Sequence, residues 1–176
     1  MWYIILFFAT LLLDQITKII VDANMALYDT IPVIDNALIT FSITNHYNEG
    51  ASFSFLANAE WAQTFFICLT VAVLVGAFIF LIFAKIDSKW LKATITLLIS
   101  GTIGNFIDRI AFGHVRDFLD LQKIFGIAFA NFNIADCCLT IGAFMLIFYV
   151  LFLDKDGLFS KKASSAEETD QKDSDK

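Results

Sequence analysis

Several things this chain lacks narrow what it can be. Cysteine is scarce and badly placed for a framework. Cys137 and Cys138 are neighbours, Cys68 stands alone in an apolar run, and there is no CxxC or Cys/His pairing at zinc spacing. The three read as small packing residues. Histidine is limited to His46 and His114. Neither has an i,i+4 partner or a carboxylate at metal spacing, so both read as surface side chains and no metal or cofactor is expected. Proline occurs once, at Pro32. No basic patch interleaved with aromatics is present, which argues against nucleic-acid binding. No basic region precedes the first apolar run, and that run continues past any plausible cleavage point, so a cleaved leader is not expected. No internal repeat is visible.

Apolar residues make up 58% of the 176 residues, and phenylalanine alone accounts for 20; mean hydropathy is +0.71. A soluble domain is nearer about 45–50% apolar, so this is a membrane composition. The net charge of −6 says little about partners. The segment after Leu153 holds seven acids and five lysines and so supplies −2 of it.

Four spans are expected. The first runs from Met1 through Val21, because thirteen uncharged residues alone are too short for about 30 Å of hydrocarbon. It must therefore take in Asp14 and Lys18, four apart and acid first, which suits an ion pair on one helix face turned toward other helices. Ala62 to Ala84 is uncharged throughout. Ala93 to Ile107 reaches membrane length only with Asp108 and Arg109 near its far end, and its Ser100 and Gly104 suit close helix contact. Cys137 to Leu153 is the last. Between the first two spans, residues 22–61 carry five acids and no lysine or arginine. Within them Leu38–Thr44 and Ala51–Phe55 alternate like strands around a turn at Asn48-Glu49-Gly50. They predict a small β hairpin or cradle on the membrane surface. Residues 113–132 read as a second outer loop. Residues 1–153 then form one membrane domain, and 154–176 a disordered tail.

Lys85, Lys89 and Lys92 lie between the second and third spans, and Lys155, Lys161 and Lys162 follow the fourth. The positive-inside rule puts both termini in the cytoplasm. Asp14, Lys18, Asn48, Asn105, Arg109, Asp117, Asn133 and Asp136 then gather toward the extracytoplasmic face. Asp117 and Asp136 each lie beside one of the last two spans, and joining those ends makes a carboxylate pair. In a poorly hydrated site such a pair holds one shared proton. One member can take a proton from water that attacks an amide while the other polarises the carbonyl, without a metal. Simpler roles exist for each residue. Asp117 can pair with Arg116 or Lys123, Asp136 can favour a helix N-terminus, Asp108-Arg109 can form a bridge, and Asn105 and Asn133 can link helices. Asp35 and Asp120 read as solvated acids.

Asp14-Gln15-Ile16-Thr17-Lys18, Asn48-Glu49-Gly50-Ala51-Ser52-Phe53, Gly104-Asn105-Phe106-Ile107-Asp108-Arg109, Val115-Arg116-Asp117-Phe118 and Phe132-Asn133-Ile134-Ala135-Asp136 resemble, in order and spacing, the motifs of bacterial lipoprotein signal peptidase (signal peptidase II). The resemblance implies an α-helical membrane protein with four spans and a β-rich extracytoplasmic cradle. It implies an aspartic endopeptidase that cuts prolipoproteins before the diacylglyceryl-modified cysteine, acting as a monomer in the cytoplasmic membrane. By motif, Asp117 and Asp136 are the catalytic pair. Asn48, Gly50, Asn105, Arg109 and Asn133 line the site, and Asp14, Lys18 and Asp108 support it. Membrane lipid and globomycin-like cyclic peptides are the further partners implied. Ser52, Ser100, Arg116, Ala130 and Cys137 depart from the usual pattern, and Arg116 puts a cation beside Asp117 where it can alter that group's titration. The competing readings are a metal-dependent membrane lipid-phosphate enzyme and a small transporter or assembly factor. The acids are split between two segments, which disfavours the first. The gathering of polar groups at one face disfavours the second.

Overall fold

The computed structural model describes residues 1–49, 61–83, 86, 88–125, 127 and 129–153. In chain order these form α1 (Trp2–Asn24), β1 (Thr30–Asp35), β2 (Ile39–Asn48), α2 (Ala62–Phe83), α3 (Lys89–Phe112), β3 (Val115–Ile124) and α4 (Ile134–Phe148), which ends in a π-helical turn, Tyr149–Leu153. Four of the described helices are long and apolar enough to cross a membrane, and the protein is a multi-pass membrane protein.

The bundle is inside-out relative to a soluble one. Its most completely buried side chains include Lys18, Asp14, Asp108, Asp117, Asn133, Thr94 and Ser100, while large apolar residues such as Phe8, Ile79, Ile110 and Phe144 are exposed. Hydrocarbon solvates apolar side chains as well as a core would, so burial is reserved for groups that need polar partners. α2 is the extreme case, since its apolar window has no buried residue. α3 and α4 approach closely through small residues. A Cβ on Gly101 would sit 2.5 Å from the Ala135 carbonyl oxygen, and one on Gly142 would sit 2.8 Å from Leu98 Cγ.

Helix ends follow local chemistry. Ser88 caps α3 by accepting from the Leu91 N–H, and Gly113 closes it in the left-handed region (φ 76°), donating to the Arg109 carbonyl. Asn133 caps α4 in a capping box completed by Asp136.

The sheet has the order β1-β2-β3, antiparallel throughout. Pro32 lies in β1, on the edge, where its missing N–H leaves no ladder bond unmade. Two expectations are corrected here. The strand expected at 38–44 runs on to Asn48, and it forms a hairpin with β1. Gly50 and Ala51–Phe55 lie outside the described residues, as does the tail 154–176. The loop expected at 113–132 is for its first half a central structural element: β3 pairs with β2 from Ile39↔Ile124 to Asn48↔Val115. This sheet is the bridge that carries Asp117 back over the bundle.

Candidate active site

Backbone pairing determines where the two aspartates meet. After β3 the chain folds back so that Phe132 bridges Leu119. The Phe118 and Leu119 N–H groups both donate to the Phe132 carbonyl, at 3.1 and 2.9 Å. Asn133, next in sequence, therefore lies beside Asp117, and Asp136 follows one helical turn later. The Asn133 Nδ2 donates to Asp117 Oδ1 at 2.7 Å. Its Oδ1 accepts from the Asp136 N–H at 3.0 Å, and its own N–H donates to Asp136 Oδ2 at 3.1 Å. One asparagine thus touches both carboxylates.

Two further amides complete the cradle. Asn48, at the end of β2, donates through Nδ2 to Asp117 Oδ2 at 2.9 Å. Asn105, on α3, donates to Asp136 Oδ1 at 2.8 Å. Its own Oδ1 accepts from Lys18 Nζ and from Asn133 Nδ2, each at 3.1 Å. Each carboxylate oxygen therefore has a neutral donor, and no cation pairs directly with either group among the described residues. Asp117 is 1% exposed. Burial, then the nearby Asp136 charge, push its carboxyl up to about 7, against the opposing pull of the Asn48 and Asn133 amides and of Lys18.

Beneath the cradle is a charge cluster that the sequence only half disclosed. Lys18 Nζ lies 2.9 Å from Asp14 Oδ2 and 3.2 Å from Asp108 Oδ2. Asp108 also meets Arg116 NH2 at 2.8 Å and accepts from the Arg116 N–H at 3.0 Å. The four formal charges cancel, as burial demands. Asp108 is thus bridged to Lys18 and Arg116, not to Arg109. The expectation that Arg116 perturbs Asp117 is also corrected. Successive strand residues face opposite ways, so Arg116 leaves β3 away from Asp117 and lies over the Phe112 ring at 4.4 Å. Gln15 belongs to this cluster and was not singled out. It donates to Asp14 Oδ2 and the Gly104 carbonyl and accepts from Arg116. Its place beside Asp14 in the first motif was the available signal.

Asp14 has a second use. Its Oδ1 accepts from the Ala135 N–H at 2.8 Å, so the first span ties down the first turn of the last. Gly104 makes room, since a Cβ there would lie 2.7 Å from Asp14 Oδ2. Arg109 lies over the Phe66 ring of α2 at 5.2 Å, and among the described residues its buried Nε has no hydrogen-bond partner. It is near enough to feel the charges of Asp136 and Asp117, but it bonds to neither among the described contacts.

Three side chains read as solvent-facing are not. Asp120 is buried and accepts from Thr44 Oγ1 and Gln122 Nε2. His46 is half-buried with Tyr28 at its edge. His114 is half-buried and stacked on Tyr47 at 3.9 Å, and burial lowers its pKa. Asp35 is exposed as expected.

The arrangement, a buried and a half-buried carboxylate held by neutral amides, can be compared with known proteins. The family model described as "Signal peptidase (SPase) II" matches residues 6–152. The chain belongs to the signal peptidase II family. A lipoprotein signal peptidase of Brevibacillus brevis is 40% identical over 156 residues, covering 88% of this chain and 97% of that protein. One from Geobacter metallireducens is 39% identical over 78% of this chain and 82% of its own length. One from Staphylococcus aureus is 40% identical over 78% of this chain and 80% of its own length. The fold is also that of a bacterial membrane enzyme solved by the in meso method at 2.3 Å. The TM-score is 0.75 at 35% identity, covering 89% of this chain and 90% of that one. Signal peptidase II enzymes are aspartic peptidases that remove signal peptides from prolipoproteins, and the family membership makes this chain such an enzyme. The lipid-phosphate enzyme and transporter readings are not favoured. Asp14 and Asp108, in the cluster beneath the cradle, are already neutralised by Lys18 and Arg116.

Proposed function

We propose that Asp117 and Asp136 are the catalytic pair, and that the bond cut is the one before the diacylglyceryl-modified cysteine of a prolipoprotein. The observation that carries this reading is Asn133, whose single amide group contacts both carboxylate residues. Asp117 rises to about 7 in this setting, so near neutral pH the pair shares one proton. The ionised member takes a proton from a water held between them as its oxygen attacks the scissile carbonyl carbon. The shared proton goes to the carbonyl oxygen and then to the leaving amine, and the C–N bond breaks. The products are a signal peptide carboxylate and a free cysteine α-amine.

Asn48, Asn105 and Asn133 hold the carboxylates in a fixed geometry without supplying the positive charge that would keep both ionised. Arg109, whose buried Nε has no partner among the described residues, donates to a substrate carbonyl in this reading. Gly50, by its place in the Asn48-Glu49-Gly50 motif, is assigned with Asn48 to substrate binding and support. Asp14, Lys18 and Asp108 position α1, α3 and α4. Both termini face the cytoplasm and the pair lies toward the extracytoplasmic side, where an apolar signal helix and two acyl chains enter from lipid. A globomycin-like cyclic peptide would bind over the pair. Residues 1–153 form the peptidase domain, a reading that the match over residues 6–152 supports. One chain supplies every group named, so a monomer suffices.

The test is cleavage of a diacylglyceryl-modified prolipoprotein in detergent, followed by gel shift with EDTA present throughout. Wild type cleaves; Asp117→Asn and Asp136→Asn, expressed and folded normally, do not. Cleavage surviving in either variant would remove that aspartate from the mechanism. Loss of wild-type activity to EDTA alone would return the metal-dependent reading.

A further inference from the structure

A cavity of about 400 Å³ lies among α1, α2 and α3 at the end of the bundle remote from the aspartates. Its volume falls within the roughly 300–1,000 Å³ usual for small-molecule sites. Its wall includes Phe7, Leu81, Ile95 and Ile99, with Tyr3 and Lys92 as its polar members besides Thr96. The Thr96 hydroxyl is already committed, donating to the Lys92 carbonyl at 2.7 Å. The space exists because α2 packs on α3 and barely touches α1, leaving a slot roofed by two helices and floored by the third. Lys92 lies thirteen residues before Asn105 on α3, about 20 Å along the axis. Ile99, the wall residue deepest along α3, lies six residues before Asn105, about 9 Å, and none of Asn48, Asn105, Asn133, Asp117 and Asp136 is in the wall, so the cavity is a separate site.

Among the described residues of the cavity wall, the one charged side chain is Lys92. Lys92 is half-buried, and among the described residues it forms no ion pair. Lys89 stands one turn earlier, and the first turn of α3 contains no acid. A lysine in an otherwise largely apolar wall that also includes a tyrosine calls for an anion that is itself attached to hydrocarbon. The geometry points to an anionic phospholipid as the occupant: an acyl chain fills the slot against Phe7, Leu81 and Ile99, and the phosphate meets Lys92 and the Tyr3 hydroxyl. A zwitterionic lipid has the chain but offsets the phosphate with its own cation. The substrate's signal helix is apolar and brings no anion to this wall. On the topology proposed above, this is the lysine-rich cytoplasmic end, where anionic lipids attract basic residues.

The experiment is lipid retention by native mass spectrometry. Full-length protein is exchanged through detergent in the presence of equal amounts of phosphatidylglycerol and phosphatidylcholine of the same chains. The expected result is one phosphatidylglycerol retained at least tenfold over phosphatidylcholine in wild type and in Lys89→Gln, which alters a neighbouring charge outside the cavity wall. Retention should fall to the phosphatidylcholine level in Lys92→Gln. Ile95→Trp, which fills the slot and keeps the charge, should expel both lipids while prolipoprotein cleavage persists. Equal retention of the two lipids, or equal loss in Lys89→Gln and Lys92→Gln, would overturn the site. Protection of the lysine from amine labelling by glycerol 3-phosphate alone, as strong as that by the lipid, would overturn the acyl-chain component.

Discussion

Replacing Asp117 by asparagine should make the protein more stable at alkaline pH even as it abolishes cleavage. The side chain is buried and its carboxyl rises from 3.8 to about 7 because burial and the Asp136 charge disfavour ionisation. A raised carboxyl pKa means the native state holds a proton that the unfolded chain has released. Native stability therefore falls as pH climbs from about 4 to about 7, and the loss is complete above that window. The rise is roughly 3 pH units, on the order of 4 kcal/mol when fully expressed. Asparagine is nearly isosteric and carries no charge, so the variant escapes this penalty. It introduces one of its own, because the Asn48 and Asn133 amides both donate to position 117, and a new N–H must face one of them unless Asn48 flips. That mismatch costs about 1–3 kcal/mol, but it does not titrate. The informative quantity is therefore the change with pH of the stability difference between variant and wild type. Between pH 4.5 and 8.5 it should shift by about 3 kcal/mol in favour of Asp117→Asn. At roughly 2–4 °C per kcal/mol, that is a relative gain of about 6–12 °C in apparent melting midpoint at a fixed scan rate. A difference that stays constant across this range would refute the argument that Asp117 is held protonated by its surroundings, and with it the shared proton of the proposed mechanism.

Other perturbations separate the site from its supports. Arg116→Met removes the guanidinium and leaves Lys18 as the cation on Asp108 among the described residues, which should cost about 3–5 kcal/mol in thermal denaturation. The pH profile of cleavage should keep its shape, because Arg116 points away from Asp117. Gly101→Ala places a methyl against the Ala135 carbonyl and should cost about 1–3 kcal/mol, with activity falling further than stability because α4 carries Asp136. Asn133→Ala removes a helix cap worth about 0.5–2 kcal/mol. The same change frees both carboxylates, so single-turnover cleavage should drop by about a hundredfold while the melting midpoint moves only a few degrees.

What could be read from the chain depended on the range over which each signal acts. The spans were legible because an uncharged run such as Ala62–Phe83 declares itself locally. The pairing of Asp14 with Lys18 was legible because four residues along a helix is one turn. The motifs marked which residues to examine, but their contacts were not legible. β3 reads V-R-D-F-L-D-L-Q-K-I, polar on both faces, and its partner β2 lies some seventy residues earlier, so alternation gave no warning of a strand. Missing that strand hid the fact that Arg116 and Asp117 must point to opposite sides. The link from Asp14 to the Ala135 N–H joins the first span to the last, and nothing local announces it. Asp120 looked solvated because the threonine that buries it, Thr44, belongs to the other strand.

The bond between Asp14 and the Ala135 N–H has a consequence for biogenesis. Spans enter the membrane in order, and Asp117 is synthesised before the helix that carries Asp136. Until α4 inserts and its first turn docks on α1, Asp117 lacks Asn133 and its carboxylate neighbour. The cleft can then hold a chain but not the shared proton. On the catalytic pair proposed above, latency is built into the order of synthesis: a half-inserted molecule lacks one carboxylate, and hydrolytic competence reports that the first and last spans have met.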